Sequence, residues 1–113
     1  MDKLTRYKKI ITGIFKKYEN LSGNQSDSEL EDVFSIDETI GSWLWMITGW
    51  TENERVNTTN LYVRLKNDKI YIEEDWTEEG IATDLLREGV PKEDIVLAFH
   101  EPSIRQYTEF AVN

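Results

Sequence analysis

The chain has no cysteine, one histidine and two prolines among its 113 residues. The absence of cysteine excludes a disulfide framework, a thiolate metal site and a cysteine nucleophile. One histidine is too few for a zinc site, which needs several convergent ligands, so we predict no metal and no other cofactor. No apolar run reaches the roughly 20 residues of a membrane span, and the charged segment Met1–Tyr7 is unlike a signal peptide. We therefore expect a cytoplasmic protein without a membrane segment.

The net charge of −9 is unevenly distributed along the chain. Residues 1–17 carry six basic side chains and one acidic, whereas residues 18–113 carry seven basic and 21 acidic. An acidic body is repelled by the phosphates of duplex DNA, so direct DNA binding is not predicted for it. A basic stripe on the first helix is the exception, and we interpret it as an ordinary solvated surface. The stripe consists of Lys3, Arg6, Lys9, Lys16 and Lys17.

Length and composition predict one domain over residues 1–113, because 39% hydrophobic residues with thirteen aromatic side chains suffice for a single core. Apolar residues recur at helical spacing near the N-terminus and predict an amphipathic helix over residues 2–20. These residues are Leu4, Tyr7, Ile11, Ile14, Phe15 and Tyr18. Residues 22–28 are polar and predict a loop.

From Leu30 onwards the hydrophobic period changes to two, which indicates β-strands. The pattern predicts four strands joined by short turns, and Asn67–Asp68 is typical of a tight hairpin because both residues tolerate positive φ. Short turns between successive strands predict an antiparallel meander. The four strands are Leu30–Ile36, Trp43–Ile47, Asn57–Lys66 and Ile70–Glu74.

The last third of the chain predicts a second helix followed by a strand. Asp75 or Thr77 is positioned to cap the helix, and Gly89 is positioned to end it. The run Ile95–Phe99 is uniformly apolar, which predicts a fifth strand in the centre of the sheet. A short tail, Ser103–Ala111, follows. The complete pattern predicts an α+β fold.

His100 is the obvious candidate for chemistry, because histidine titrates near neutral pH. If Arg105 and the carboxylates of Asp75 and Glu79 converged with it in one cleft, the chain would be a small enzyme or a nuclease accessory subunit. The alternative is a hydrogen-bonded structural histidine beside carboxylates that stabilise the start of a helix. The acidic cluster comprises Glu73, Glu74, Asp75, Glu78 and Glu79.

Trp43 and Trp45 alternate along one predicted strand and therefore point to the same face. Burial in the core is the ordinary interpretation of either residue alone. A pair on one face also fits an interface, where tryptophan is enriched. Because two helices do not cover both faces of a five-stranded sheet, we predict a homodimer or larger oligomer with Trp43 or Trp45 in the contact.

Several segments occur in an order that resembles the XisI family, the cyanobacterial excision controlling factors of the fdxN element. They are Asp75–Ala82, Gly89–Arg105 and Thr108–Val112, with Met1–Tyr7, Gly49–Trp50 and the strand around Leu61–Ile72 also fitting. The resemblance spans the chain and implies one α+β domain with an antiparallel sheet. It implies no catalytic residues.

The resemblance also implies a factor that acts with a site-specific recombinase when a DNA element is excised. We accordingly expect a non-enzymatic regulatory protein whose partner is a recombinase or a companion excision factor. An acidic surface suits such a partner, because a DNA-binding protein must carry a basic one. The enzyme or nuclease accessory using His100, Arg105, Asp75 and Glu79 is the alternative.

Overall fold

A computed structural model describes residues 2–22 and 29–113, and shows an α+β fold as predicted. The predicted loop over residues 22–28 lies, from residue 23 onwards, outside the described residues. The helices are α1 (Lys3–Ser22), α2 (Ile81–Arg87) and α3 (Pro102–Arg105), with a 3₁₀ turn at Lys92–Asp94. The strands are β1 (Leu30–Asp37), β2 (Ser42–Trp50), β3 (Arg55–Lys66), β4 (Lys69–Asp75) and β5 (Ile95–Leu97).

Helix α1 begins one residue later and ends two residues later than predicted. Its first turn is stabilised by Asp2, whose carboxylate accepts a hydrogen bond from the Thr5 amide at 2.8 Å. The predicted apolar face is the buried one, with Tyr7, Ile11 and Phe15 at 1% exposure or less. Amphipathic spacing therefore identified the face of α1 that packs on the sheet.

The sheet has the strand order β1-β2-β3-β4-β5, and its first four strands form the predicted antiparallel meander. Asn67 and Asp68 have φ of 53° and 63°, which is the conformation expected of a two-residue hairpin turn. Gly49 fits only as glycine, because a Cβ there would lie 2.3 Å from the Glu29 carbonyl oxygen. The turn residues thus define the hairpin between β3 and β4, and Gly49 allows the close approach of β2 to the start of β1.

Strand β5 lies at the end of the sheet and pairs with β4 in parallel, so the prediction of a central position was wrong. Its residues are nevertheless covered, because the C-terminal tail adds a parallel bridge between Val96 and Ala111 on the outer side. The Ala111 amide donates to the Ile95 carbonyl at 2.9 Å. Flanked in this way, Ile95 and Val96 have no exposed surface.

Helix α2 has well-defined ends. At its start the Ile81 amide donates to Asp75 Oδ2 at 2.7 Å, so Asp75 supplies the cap that the sequence predicted. At its end Gly89 has φ of 93°, and the Gly89 and Val90 amides donate to Leu86 and Leu85 at 3.0 Å. This is the Schellman arrangement, with buried Val90 as its hydrophobic contact.

The core lies on one face of the sheet, which we term the covered face. Helices α1 and α2 pack there against five fully buried strand residues, namely Trp43, Leu61, Val63, Ile70 and Ile72. The alternate residues of β1, β2 and β3 form the opposite surface, which we term the open face: Val33, Leu44, Met46 and Tyr62, all half-buried or exposed. None of the helices within residues 2–22 and 29–113 is long and apolar enough to cross a membrane.

Candidate functional site

The carboxylate of Asp75, a predicted catalytic candidate, is occupied by structural hydrogen bonds. Oδ1 accepts from the amide and the hydroxyl of Thr77, and Oδ2 accepts from the Ile81 amide. Three donors on one half-buried carboxylate hold the connection between β4 and α2. Asp75 therefore has a structural role at the start of α2.

Arg105 is also held by the backbone. Its guanidinium donates to the carbonyls of His100 at 3.0 Å, Ala98 at 3.2 Å and Val112 at 3.3 Å. These carbonyls belong to the turn after β5 and to the tail, so one side chain joins the two segments. Hydrogen bonds from a charged group to backbone carbonyls stabilise such a junction.

His100 lies half-buried in the turn after β5, where its ring contacts Phe99 at 4.6 Å between centroids. Its amide donates to the Leu97 carbonyl, and its carbonyl accepts from Arg105. Across the described ranges no hydrogen bond joins its imidazole to a carboxylate. Glu79 is exposed, and its nearest cation is Arg87 at 3.7 Å. Arg105 therefore contacts the backbone of His100, but among the described residues no hydrogen bond or ion pair joins the His100 ring to Asp75 or Glu79.

No set of three or more His, Asp or Glu side chains in the part of the chain that the structure describes is arranged to hold a metal ion. The acidic cluster is spread between strand β4 and the turn that follows it. One member, Glu73, pairs with Arg64 of β3 at 3.0 Å. The cluster therefore provides a negatively charged surface.

Trp43 is fully buried under α1, and its indole donates to the Thr12 hydroxyl at 3.0 Å. Because it has no exposed surface, the expectation that its side chain contacts a partner is corrected: it belongs to the core. Trp45, on the same covered face, stacks on Phe34 at 5.0 Å and donates to Asp32 at 2.9 Å. It is half-buried, and an interface at Trp45 stays a prediction.

Part of the basic stripe of α1 makes contacts within the chain. Lys3 pairs with Asp94 at 3.0 Å. Arg6 donates to the carbonyls of Glu88 and Gly89, at the C-terminal end of α2, where a cation is favoured by the helix dipole. These two residues therefore attach α1 to its neighbours. Lys9 and Lys17 face a groove between α1 and α2.

The attachment of α1 includes a buried tyrosine. The Tyr7 hydroxyl donates to Asp94, the same carboxylate that Lys3 contacts. Burial, together with the adjacent carboxylate, raises the pKa of Tyr7 to about 12. Burial alone would raise the pKa of Asp94, but the hydrogen bonds from Tyr7 and Lys3 and the charge of Lys3 lower it below its ordinary value of 3.8. Asp94 is therefore the charged centre of this junction.

The groove between α1 and α2, which we term the α1–α2 groove, has a volume of about 670 Å³. The α1 residues that line it include Ile10, Gly13, Ile14 and Leu21 together with Lys9 and Lys17. Leu21 is 67% exposed. Sequence analysis did not predict this groove. The sequence feature that pointed to it was Gly13, because a glycine inside a helix reduces helix stability by about 1 kcal/mol relative to alanine.

Comparison with known proteins is consistent with this architecture. The family model described as XisI protein matches residues 1–112. The crystal structure of the fdxN element excision controlling factor XisI from Anabaena variabilis ATCC 29413 is 44% identical, with a TM-score of 0.88, and the match covers 99% of this chain and 100% of that one. A XisI-like protein from the same organism is 30% identical, with a TM-score of 0.87, over 97% of this chain and 99% of that one.

Comparison with proteins of curated function finds no match. The family model and the two solved structures nevertheless agree over nearly the entire chain, in sequence as well as in fold. The resemblance seen in the order of the sequence motifs is thereby confirmed. This chain belongs to the XisI family.

Proposed function

We propose that this protein is a non-enzymatic regulatory factor that acts by contacting the protein machinery of DNA-element excision. The observation that carries the proposal is the 44% identity, over 99% of the chain, to an fdxN element excision controlling factor. The proposed partner is a site-specific recombinase or a companion excision factor. Because such a partner acts on chromosomal DNA, the proposed site of action is the cytoplasm.

The charge distribution supports a protein partner rather than direct binding to DNA. Residues 18–113 carry seven basic and 21 acidic side chains, which oppose approach to phosphates. Two residues of the basic stripe, Lys3 and Arg6, are committed to contacts within the chain. An acidic surface attracts the basic surface of a DNA-binding protein and accelerates association in a salt-dependent way.

The side chains on the open face of the sheet support the proposal that this face contacts a protein partner. Val33 and Met46 are paired across β1 and β2, and Leu44 and Tyr62 are paired across β2 and β3. At the edge of this surface Trp50 is 55% exposed, and the Arg55 guanidinium lies 5.8 Å from its ring centroid. Aromatic and arginine side chains beside apolar ones are typical of protein interfaces.

The proposal is tested by capture of the purified recombinase, or of the companion factor, on the immobilised chain at low and moderate salt. We expect salt-sensitive binding, and we expect Trp50→Glu to weaken it about tenfold or more, as loss of an interface anchor does. The matched control is Tyr107→Glu, since Tyr107 is 82% exposed and lies on the C-terminal segment. Absence of binding at low salt would contradict the proposal.

The enzyme alternative is distinguished from the proposed regulatory function by the His100→Ala variant, measured in a reconstituted excision reaction on a plasmid substrate. Under our proposal the yield of excised element is unchanged, because His100 contacts no reacting group. Loss of yield with unchanged partner binding would favour the alternative. Arg105 and Asp75 are unsuitable for this test, since both hold the backbone in place.

A further inference from the structure

Four apolar side chains cross the open face obliquely. Val33 of β1 lies opposite Met46 of β2. Leu44, two residues before Met46, lies opposite Tyr62 of β3. The four side chains therefore form a diagonal from β1 to β3, which we term the diagonal strip. The two other positions of this block hold polar and uncharged side chains, namely Ser35 and Thr59.

The diagonal strip is accessible, whereas the same side of the sheet is closed further along. Val33 is 40% exposed, and the other three members are half-buried. On β4 and β5 the residues that point to this side by their register are Tyr71 and Val96. Their exposed fractions are 6% and 0%. A partner that approaches the open face therefore meets apolar surface on β1, β2 and β3.

Acidic side chains lie near the two ends of the diagonal strip. Glu31 is exposed and lies on the same face two residues before Val33. Glu74 of β4 lies opposite Tyr62 and is half-buried. Beside it Trp76 is 74% exposed, and its indole donates to the Glu74 carboxylate at 3.3 Å. The strip thus runs between two carboxylates, with an exposed indole at one of them.

These two carboxylates are not neutralised by cations within the described part of the chain. None of the ion pairs in residues 2–22 and 29–113 includes Glu31 or Glu74. Arg64, two residues beyond Tyr62 on the same face, is paired with Glu73 at 3.0 Å. The ends of the strip therefore attract basic side chains of a partner, because complementary charge favours encounter.

The strip has the length of a short α-helix. Val33 and Tyr62 are separated by two strand spacings and two residues, which amounts to about 12 Å. Two helical turns, or about eight residues, span the same distance. Glu31 and Glu74 are roughly 20 Å apart by the same reasoning. A basic residue one turn beyond each end of an apolar helical stripe therefore reaches a carboxylate.

We propose that the diagonal strip binds an amphipathic helix of the excision partner, with the apolar stripe of that helix on the strip and a lysine or arginine beside Glu31 and Glu74. The inference rests on the proposed function and adds the kind of segment that the partner contributes. The bound helix gives the sheet helices on both faces, which is one of the stable layer arrangements of folded domains.

The charges disfavour a second copy of this chain as the occupant. Two facing copies whose strips coincide are related by a two-fold axis that lies either across the strip or along it. An axis across the strip places Glu31 of each copy against Glu74 of the other. An axis along the strip brings the two copies of Glu74 together. Both arrangements set carboxylate against carboxylate, and like charges in contact oppose association.

The first test repeats the capture of the purified recombinase or companion factor with a variant in the middle of the strip. We expect Leu44→Lys to raise the dissociation constant about tenfold or more, because it places a charge under the apolar stripe. The matched control is Ile40→Lys, since Ile40 is 75% exposed in the turn between β1 and β2. Circular dichroism checks that the variants fold, and Val33→Lys replaces Leu44→Lys if the latter is unfolded.

The outcomes of this test separate the inference from the proposed function. A wild-type chain that binds neither protein at low salt overturns both. A wild-type chain that binds, together with a folded Leu44→Lys variant that binds equally well, overturns the inference alone. Equal weakening by Ile40→Lys also overturns it, because the added charge would then act without regard to the strip.

The second test identifies the bound segment. Hydrogen exchange of the complex shows which amides of the partner become protected, and a synthetic peptide of that segment is then titrated with the chain. We expect the peptide to displace the partner and to gain helical circular dichroism on binding. A peptide that does not displace the partner, or that binds without gaining helix, overturns the inference. Protection of this chain in the α1–α2 groove instead of on β1, β2 and β3 does the same.

The third test concerns the two carboxylates. We expect the double variant Glu31→Lys with Glu74→Lys to slow association about fivefold at low salt, and the difference to disappear at high salt, where the charges are screened. The control of equal charge is Glu78→Lys with Glu93→Lys, since both residues are exposed and lie outside the open face. Equal slowing by the two double variants would show that net charge attracts the partner, and would overturn the placement of its basic residues.

Discussion

Trp43 and Leu44 are neighbours on strand β2, yet they lie in opposite environments. Trp43 points to the covered face and has no exposed surface, whereas Leu44 points to the open face and is half-buried. The same alternation separates Phe34 from Val33 on β1 and Val63 from Tyr62 on β3. The buried core and the proposed contact surface therefore use different side chains of the same strands, and the two can be changed separately.

The covered face also depends on polar contacts at its margins. Asp75 caps α2, and Tyr7 and Lys3 attach α1 through Asp94. On the open face the polar contacts join strands to each other, as in the pair of Arg64 and Glu73. The comparison predicts that a substitution reduces the free energy of unfolding most when the replaced side chain packs or attaches a helix on the covered face.

The largest expected effect is that of Trp43→Ala, which removes a buried indole and the hydrogen bond to Thr12. We expect a loss of about 3–5 kcal/mol in the free energy of unfolding. The matched substitution on the open face, Leu44→Ala, is expected to cost about 1 kcal/mol. Urea unfolding followed by circular dichroism measures both. Equal losses would show that the two faces do not differ in this way.

A smaller effect is expected from Asp75→Ala, because three donors lose their acceptor at the start of α2. We expect a loss of about 1–2 kcal/mol in the free energy of unfolding, and faster hydrogen exchange of the α2 amides. Glu78→Ala, three residues further on and exposed, is the control and is expected to change stability by less than about 0.5 kcal/mol. If the control costs as much, general electrostatics rather than capping stabilises α2.

The smallest expected effect concerns the dependence of stability on pH. The fold lowers the pKa of Asp94 below its ordinary value of 3.8. The charged Asp94 side chain therefore contributes its full stabilisation when the pH is above 3.8, and this contribution is lost as the pH falls through the lowered pKa. Asp94→Asn is expected to cost about 1 kcal/mol at neutral pH, and this difference from the wild type should shrink in acid. Unfolding midpoints measured from neutral pH down to acid check the trend, with exposed Glu93→Gln as the unaffected control.

The periodicity of the sequence predicted most of the fold, because each element is defined by nearby residues. Apolar spacing identified the buried face of α1, and Asn67–Asp68 identified the hairpin between β3 and β4. The position of β5 could not be predicted in the same way. An apolar run has the same composition in the centre of a sheet and at an edge covered by a tail, and here Ala111 provides the cover.

The site residues were harder to predict, since their contacts are distant in sequence or involve the backbone. Arg105 donates to three backbone carbonyls. Because every residue has a carbonyl, the sequence does not indicate which three an arginine will bind. Trp43 and Trp45 were placed correctly on one face. Which face α1 would cover depends on the packing of the whole sheet, and alternation alone does not determine it.

The tail that bridges β5 has a consequence for aggregation. Ile95–Leu97 is an apolar edge segment, and the unpaired backbone groups of such an edge are a template for addition of strands from other molecules. The Ala111 amide occupies the Ile95 carbonyl, and Lys69 holds the Asn113 carbonyl beside it. Covered by the C-terminal residues, this edge offers fewer free backbone groups to which a strand of another molecule could add.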